Sequence, residues 1–219
     1  MAHFRTTSTQ NVIPPGTPPQ RQGYLQILTT CLYDTPLMFS GGAPLAPGPT
    51  STIRQSQKLF ADGQRINNDE LCNVTQPGML GSEQQVAIHA IGMQCFFTTY
   101  ALYHTFIYYS FLKINVQSSQ KLVTWTDQAG AGGGVFGQDA GAAAGAGNAT
   151  NGNPISGNWF HLSEPIIVLP NRTFDVTLDF VQAPPGMAAS PVDQINADEG
   201  EKLIRIYLMG TVGRDIVNG

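Results

Sequence analysis

Charge is the scarcest ingredient of this sequence. Only 12% of its 219 residues are Asp, Glu, Lys or Arg, and the net charge is −4; an ordinary globular chain carries about twice that share. A broad basic face that grips nucleic acid is excluded. The surface is instead built from neutral polar groups or covered by neighbours. Cysteine is nearly as sparse. Cys31, Cys72 and Cys95 are odd in number, widely spaced and free of any CxxC. That excludes a zinc knuckle and a disulfide framework and leaves buried free thiols. Long apolar runs are missing too. The most apolar stretch, Tyr100 to Leu112, carries His104 and falls short of the roughly 20 residues a spanning helix needs. Met1 to Gln10 has no apolar signal core, which predicts synthesis in a cytoplasm. The sequons at Asn73, Asn148 and Asn171 are then accidental.

Signatures of catalysis are also absent: no GxxxxGK[ST], no GxSxG, no HxH and no HExxH occurs. Gly132, Gly134 and Gly137 spell GxGxxG, but inside a glycine-saturated stretch, without the strand before and helix after that a dinucleotide site requires. The histidines His3, His89, His104 and His161 are scattered, and His89 between apolar neighbours reads as a hydrogen-bonded structural residue. Asp193, Asp198, Glu199 and Glu201 fit no calcium-loop spacing and read as a solvated acidic turn. Asp175 and Asp179 read as the wet side of a strand rather than an acid/base pair, and Asp62 to Glu70 is equally unspecific. No catalytic, cofactor-binding or metal-ligating residue is assigned.

What the sequence does hold is strand rhythm. In Arg172 to Val181, RTFDVTLDFV, Phe174, Val176, Leu178 and Phe180 alternate with Thr173, Asp175, Thr177 and Asp179, the period of a half-buried strand. Gly (24) and Pro (15) are plentiful, as many turns and few helices require. Residues 1–23, rich in Pro, Thr and Gln, predict an extended arm, and residues 24–83 predict irregular wrapping with loops at 41–50 and turns at Asp62-Gly63 and Gln76-Pro77-Gly78. Within them, Tyr24 to Thr30 and Ile53 to Phe60 suit either a strand or a helical turn. From Gln84 to Gly219 the pattern predicts the sandwich proper. QVAIHAIGMQCFF (85–97) is apolar on both faces, as in a covered central strand. Thr105 to Val116 predicts a strand with Phe106, Tyr108, Leu112, Ile114 and Val116 on one face, returned by a hairpin through Gln117–Gln120 to Lys121–Thr126. A Gly/Ala/Asn loop spans 128–157, and strands resume at Asn158–Leu162 and Pro165–Leu169. Pro170-Asn171 turns, Ala183 to Gly200 is another loop, and Leu203–Met209 and Thr211–Ile216 close the fold with Gly210 at a bend or bulge. The expected class is all-β: a single jelly-roll β-sandwich of two antiparallel sheets with an N-terminal arm and long loops.

The segments SEPIIVLPNRTFDVTLDFV (163–181) and KLIRIYLMGTVGRDI (202–216), separated by a variable loop, resemble the C-terminal half of jelly-roll capsid proteins of tailless icosahedral, membrane-containing or related bacteriophages. The closing Leu-x-Gly-x-x-x-Arg is Leu208, Gly210 and Arg214, and the likeness covers roughly residues 60–216. The resemblance implies a structural virion protein, a major or minor capsid subunit without catalytic activity. It also implies trimers or pseudohexamers, contacts with other virion proteins and an internal membrane, and no sequence-specific nucleic-acid binding. Double jelly-roll members are much longer, so this length implies one roll. Two other readings stay open: a virion spike or carbohydrate-binding sandwich, and a cupin-like metalloenzyme whose distant histidines converge in space.

Overall fold

The computed structural model describes residues 24–39, 52–66, 68–74, 76–80, 84–129, 149–150, 159–183, 186 and 188–216. The expected arm at 1–23, the loop at 41–50, Gly132, Gly134, Gly137, His3 and Asn148 lie outside them.

β8 (Phe174–Phe180) buries Phe174, Val176, Leu178 and Phe180 as its alternation requires, each contributing about 1.5–3 kcal/mol. The opposite face departs from expectation. Thr177 and Asp179 are only 8% exposed, because β8 is an inner strand between β2 (Ser56–Leu59) and β4 (Ser110–Val116). Lys113 of β4 reaches across it, Nζ to Asp179 Oδ2 at 2.7 Å. Flanked by strands on both sides and crossed by Lys113, the face expected to be the ordinary wet side is largely covered.

One sheet runs β2-β8-β4-β5, with β5 at Ser119–Trp125. The other runs β1 (Tyr24–Phe39), β9 (Lys202–Ile216), β3 (Gln84–Phe97), and β6 (Ala149–Thr150) and β7 (Phe160–Val168) share the far edge of β3. Every pairing is antiparallel. Apart from the two-residue β6, each strand in the first half pairs with its counterpart from the second: β1 with β9, β2 with β8, β3 with β7, β4 with β5. Successive pairs alternate between the sheets, and both sheets pack over one apolar core.

Residues 24–83 thus do more than wrap: they supply the edge strands β1 and β2. β3 contains a bulge at His89, which has no partner on β9 between the pairs Ile88·Gly210 and Ala90·Met209. The extra residue flips the parity of burial from Val86 and Ile88 to Ile91, Met93, Cys95 and Phe97. This flip, together with a covered exterior, makes 85–97 look apolar on both faces. The bulge lies on β3, and Gly210 is the residue opposite it: a Cβ there would sit 2.2 Å from Ala87 O.

Two helices replace predicted strand and loop. The strand expected over Thr105–Val116 begins only at Ser110, because Tyr100–Tyr109 is helix α2, following the single turn α1 (Gly63–Ile66). Thr99 caps it, Oγ1 accepting from Leu102 N at 3.3 Å. Tyr103, Phe106 and Ile107 are buried at helical spacing, and Tyr108 points outward, off the Leu112 face. Its last carbonyls are satisfied by Ser110 Oγ, donating to Phe106 O at 2.6 Å, and Thr126 Oγ1, donating to Ile107 O at 2.7 Å. The expected loop 183–200 contains α3 (Pro191–Ala197), with Ser190 at its N-cap and Pro191 in its first turn. Lys202 closes its other end, Nζ donating to Ile195 O at 2.7 Å and to Asp198 O.

Candidate functional site

The chemistry-bearing residues do not converge. His104 lies exposed on α2, and His161 is exposed on β7. His89 is exposed at the bulge, with Nε2 3.2 Å from Thr211 Oγ1; the expected hydrogen bond is present, at a solvent-facing place. Asp193 and Asp198 are engaged locally: Ser190 Oγ donates to Asp193 Oδ2 at 2.6 Å, and Thr98 Oγ1 donates to Asp198 Oδ2 at 3.0 Å. Among the described residues no three His, Cys, Asp or Glu side chains are grouped to hold a metal ion. No described helix is long and apolar enough to cross a membrane. The cysteines are free thiols, Cys72 and Cys95 buried. Burial pushes the Cys31 and Cys72 thiols up to about 11. Burial also raises Tyr103 and lowers Lys202.

One charged cluster went unread. Asp34 and Arg65 are both 0% exposed and form a two-pronged pair, Nε to Oδ1 at 2.8 Å and Nη2 to Oδ2 at 3.0 Å. Nη1 reaches Asp62 at 3.2 Å, and Nη2 also donates to Lys58 O at 2.8 Å. Asp34 Oδ2 accepts from Phe60 N at 2.6 Å, where Phe60 has φ +55°, a left-handed conformation costly for a bulky residue. The cluster ties β1 to the end of β2 and to α1. Asp34 and Arg65 sit wholly inside, and of the three charged side chains only Asp62, 29% exposed, meets solvent.

The surface is where the molecule is unusual. Tyr100, Tyr108, Val123, Trp125, Ile167 and Leu169 are 44–55% exposed. Two lie on α2, where Tyr100, His104 and Tyr108 recur every four residues and the His104 ring sits between them, tilted by 44° and 47° with ring centroids 6.0 and 4.3 Å apart. The other four lie along one flank of the sandwich, on β5, on β7 and just beyond β7. A cleft of about 470 Å³ runs between those two strands, lined by Lys121 and Leu122 on one side and residues 162–167 on the other. On the outer face of the β1-β9-β3 sheet, by contrast, aromatic rings cover the backbone. Trp159 lies so close over Gly92 that a Cβ there would be 2.7 Å from its ring. Tyr207 meets Trp159 edge-on at 6.1 Å. The signal for the α2 stripe was in the sequence, as the four-residue spacing of Tyr100, His104 and Tyr108; the flank is a product of topology.

The α2 stripe carries no Asp, Glu, Lys or Arg, and the cleft is lined by Lys121, Ser163 and Glu164 among apolar residues. In comparisons with known proteins, no family model, no curated protein and no solved structure matches the chain.

Proposed function

We propose that this chain is a single jelly-roll shell subunit: a structural virion protein that builds a capsid by packing against copies of itself and carries out no chemistry. The observation that carries the reading is the nested pairing, β1·β9, β2·β8, β3·β7 and β4·β5, with successive pairs in alternate sheets. Wrapping one long antiparallel hairpin into a roll produces that order, and jelly rolls serve as capsid domains. Low overall charge and six half-exposed apolar side chains support a subunit whose remaining surface is dried by sister molecules. Trimeric or pseudohexameric capsomers, contacts with other virion proteins or an internal membrane, and a place in the virion belong to the same reading.

Negative-stain microscopy and sedimentation of the purified chain test it. Capsomers or closed particles are expected; a strictly monomeric protein at high concentration overturns the reading. Deleting residues 1–23 is expected to reduce assembly more than thermal stability. Normal particle formation by that variant removes the arm from the proposal.

A further inference from the structure

Among the described residues five strands lie at the edges of the two sheets; β6 is only two residues long, and three of the other four are closed to a newcomer. β1 is overlaid in its middle by residues 71–73: Thr35 N donates to Leu71 O at 2.9 Å, and Asn73 Nδ2 to Cys31 O at 2.7 Å. β2 is only four residues long. β7 carries Pro165 and loses its register with β3 between the pairs Ile88·Ile166 and Ala90·His161. These are the devices that blunt an edge against foreign strands. β5 has neither proline nor cover among the described residues. It runs in regular register with β4 from Leu122 to Trp125, where it turns Thr124 inward and leaves Val123 and Trp125 exposed.

The direction of its backbone groups follows from one bond, Thr126 N to Ser110 O at 3.1 Å. Residues 126 and 110 therefore form a hydrogen-bonded pair. By alternation, 124·112 and 122·114 do too, whereas 125·111 and 123·113 are open pairs. The N–H and C=O of Val123 and the N–H of Trp125 point away from β4. Among the described residues β5 has no other strand beside it. The Trp125 carbonyl is already engaged, accepting from Gln128 N and Ala129 N.

We propose that a second copy of the chain adds here, β5 to β5, antiparallel about a two-fold axis through Val123, so that one sheet continues across two subunits. The proposal rests on the self-association reading above and names its surface. The edge matches itself. A two-fold axis at Val123 sets its N–H and C=O against the same groups of the copy. It also brings the Trp125 N–H to the carbonyl of residue 121. Lys121, in the bulge that ends the regular stretch, then faces the indole of the copy, a favourable cation–ring contact. The adjoining cleft carries one cation, Lys121, and one anion, Glu164, so the rim of this edge is balanced and sets no like-charge barrier against a copy. Val123 and Trp125 supply apolar area toward the roughly 800 Å² per partner that a stable contact needs.

Val123→Pro removes only an outward N–H and leaves the β4·β5 ladder bonds in place. Sedimentation over a concentration series is expected to show half-association shifted at least tenfold upward, with an unchanged melting temperature. Val123→Cys is expected to cross-link to its copy under mild oxidation at least fivefold more than Gln120→Cys, with the unsubstituted chain as background. If Val123→Pro fails to fold, the cross-link decides. Association that Val123→Pro leaves intact, without preferential cross-linking at 123, overturns the edge proposal while the shell reading stands. Association weakened by Val123→Pro but without that cross-link places a different strand on the edge and also overturns it. An unsubstituted chain that never associates removes both.

Discussion

Replacing Arg65 by Met tests whether the buried ion pair anchors β1 and β2 to the rest of the fold. The substitution keeps the unbranched stem of the side chain and removes its guanidinium, leaving the Asp34 carboxylate 0% exposed and without its cation. Stranding one member of a buried pair costs about 3–5 kcal/mol. Lys58 O also loses its donor, for about 1 kcal/mol more. Phe60, at φ +55°, keeps its bond to Asp34 but loses the guanidinium that holds the carboxylate in place. Against a typical total of about 5–15 kcal/mol this is a large loss, and for a chain of this size it lowers Tm by about 8–24 °C. Removing both charges, as Asp34→Leu with Arg65→Met, relieves the stranded carboxylate but orphans Phe60 N. The double variant is therefore expected to recover part of the loss and to remain about 1–3 kcal/mol below the parent. Urea unfolding of all four species closes the cycle. A single-variant loss below about 1 kcal/mol, or additive losses, refutes the reasoning, because either means the pair does not act as a buried unit.

Three further outcomes are expected. Stability falls between pH 9 and about 11, the window over which the raised thiols of Cys31 and Cys72 ionise more readily unfolded than folded; Tyr103 acts in the same sense above pH 10. Lys202 acts oppositely: its folded value is depressed from 10.5, so the cost of burying its cation is relieved as the pH rises. A Cys72→Ala variant should show a shallower alkaline decline in urea midpoints, and an unchanged slope contradicts this. Gly210→Ala drives a methyl to 2.2 Å from a backbone oxygen, so the β3·β9 ladder must shift and the loss should exceed about 2 kcal/mol by thermal unfolding; an unaltered Tm counts against the packing described. Thr99→Ala removes the α2 cap and should cost about 1 kcal/mol, with a loss of helical circular dichroism; retention of both rules out the cap.

Local alternation predicted the strands where one period ran uninterrupted. The apolar face of RTFDVTLDFV read correctly because its inward residues are consecutive even positions, and the hairpin read correctly in its pairing, although β5 begins at Ser119 and carries a bulge at Lys121. The method failed where the period changes without a marker. α2 runs directly into β4 at Ser110 with no glycine or proline between, so Tyr100–Val116 reads as a single aromatic stretch. His89 disguised itself in β3 by inserting one residue into an otherwise regular pattern. The Asp34–Arg65 pair was invisible for a different reason: the partners are 31 positions apart, and only the packing of α1 against β1 joins them. The exposed flank depends on which strands end as edges, a property of the whole pairing order.

That pairing order also has a consequence for how the chain reaches its fold. β9 lies between β1 and β3, so one sheet lacks its middle ribbon until residues 202–216 have been synthesised. Until then β3 has only β7 and β6 beside it and β1 has no partner strand, and the cost of closing the large loop between β1 and β9 must be met before that side of the sheet is rewarded. Such a polypeptide matures slowly, on the order of milliseconds to seconds. Its period of greatest exposure to unwanted strand pairing lasts until residues 202–216 emerge, a period in which a chaperone holding the early strands apart does the most good.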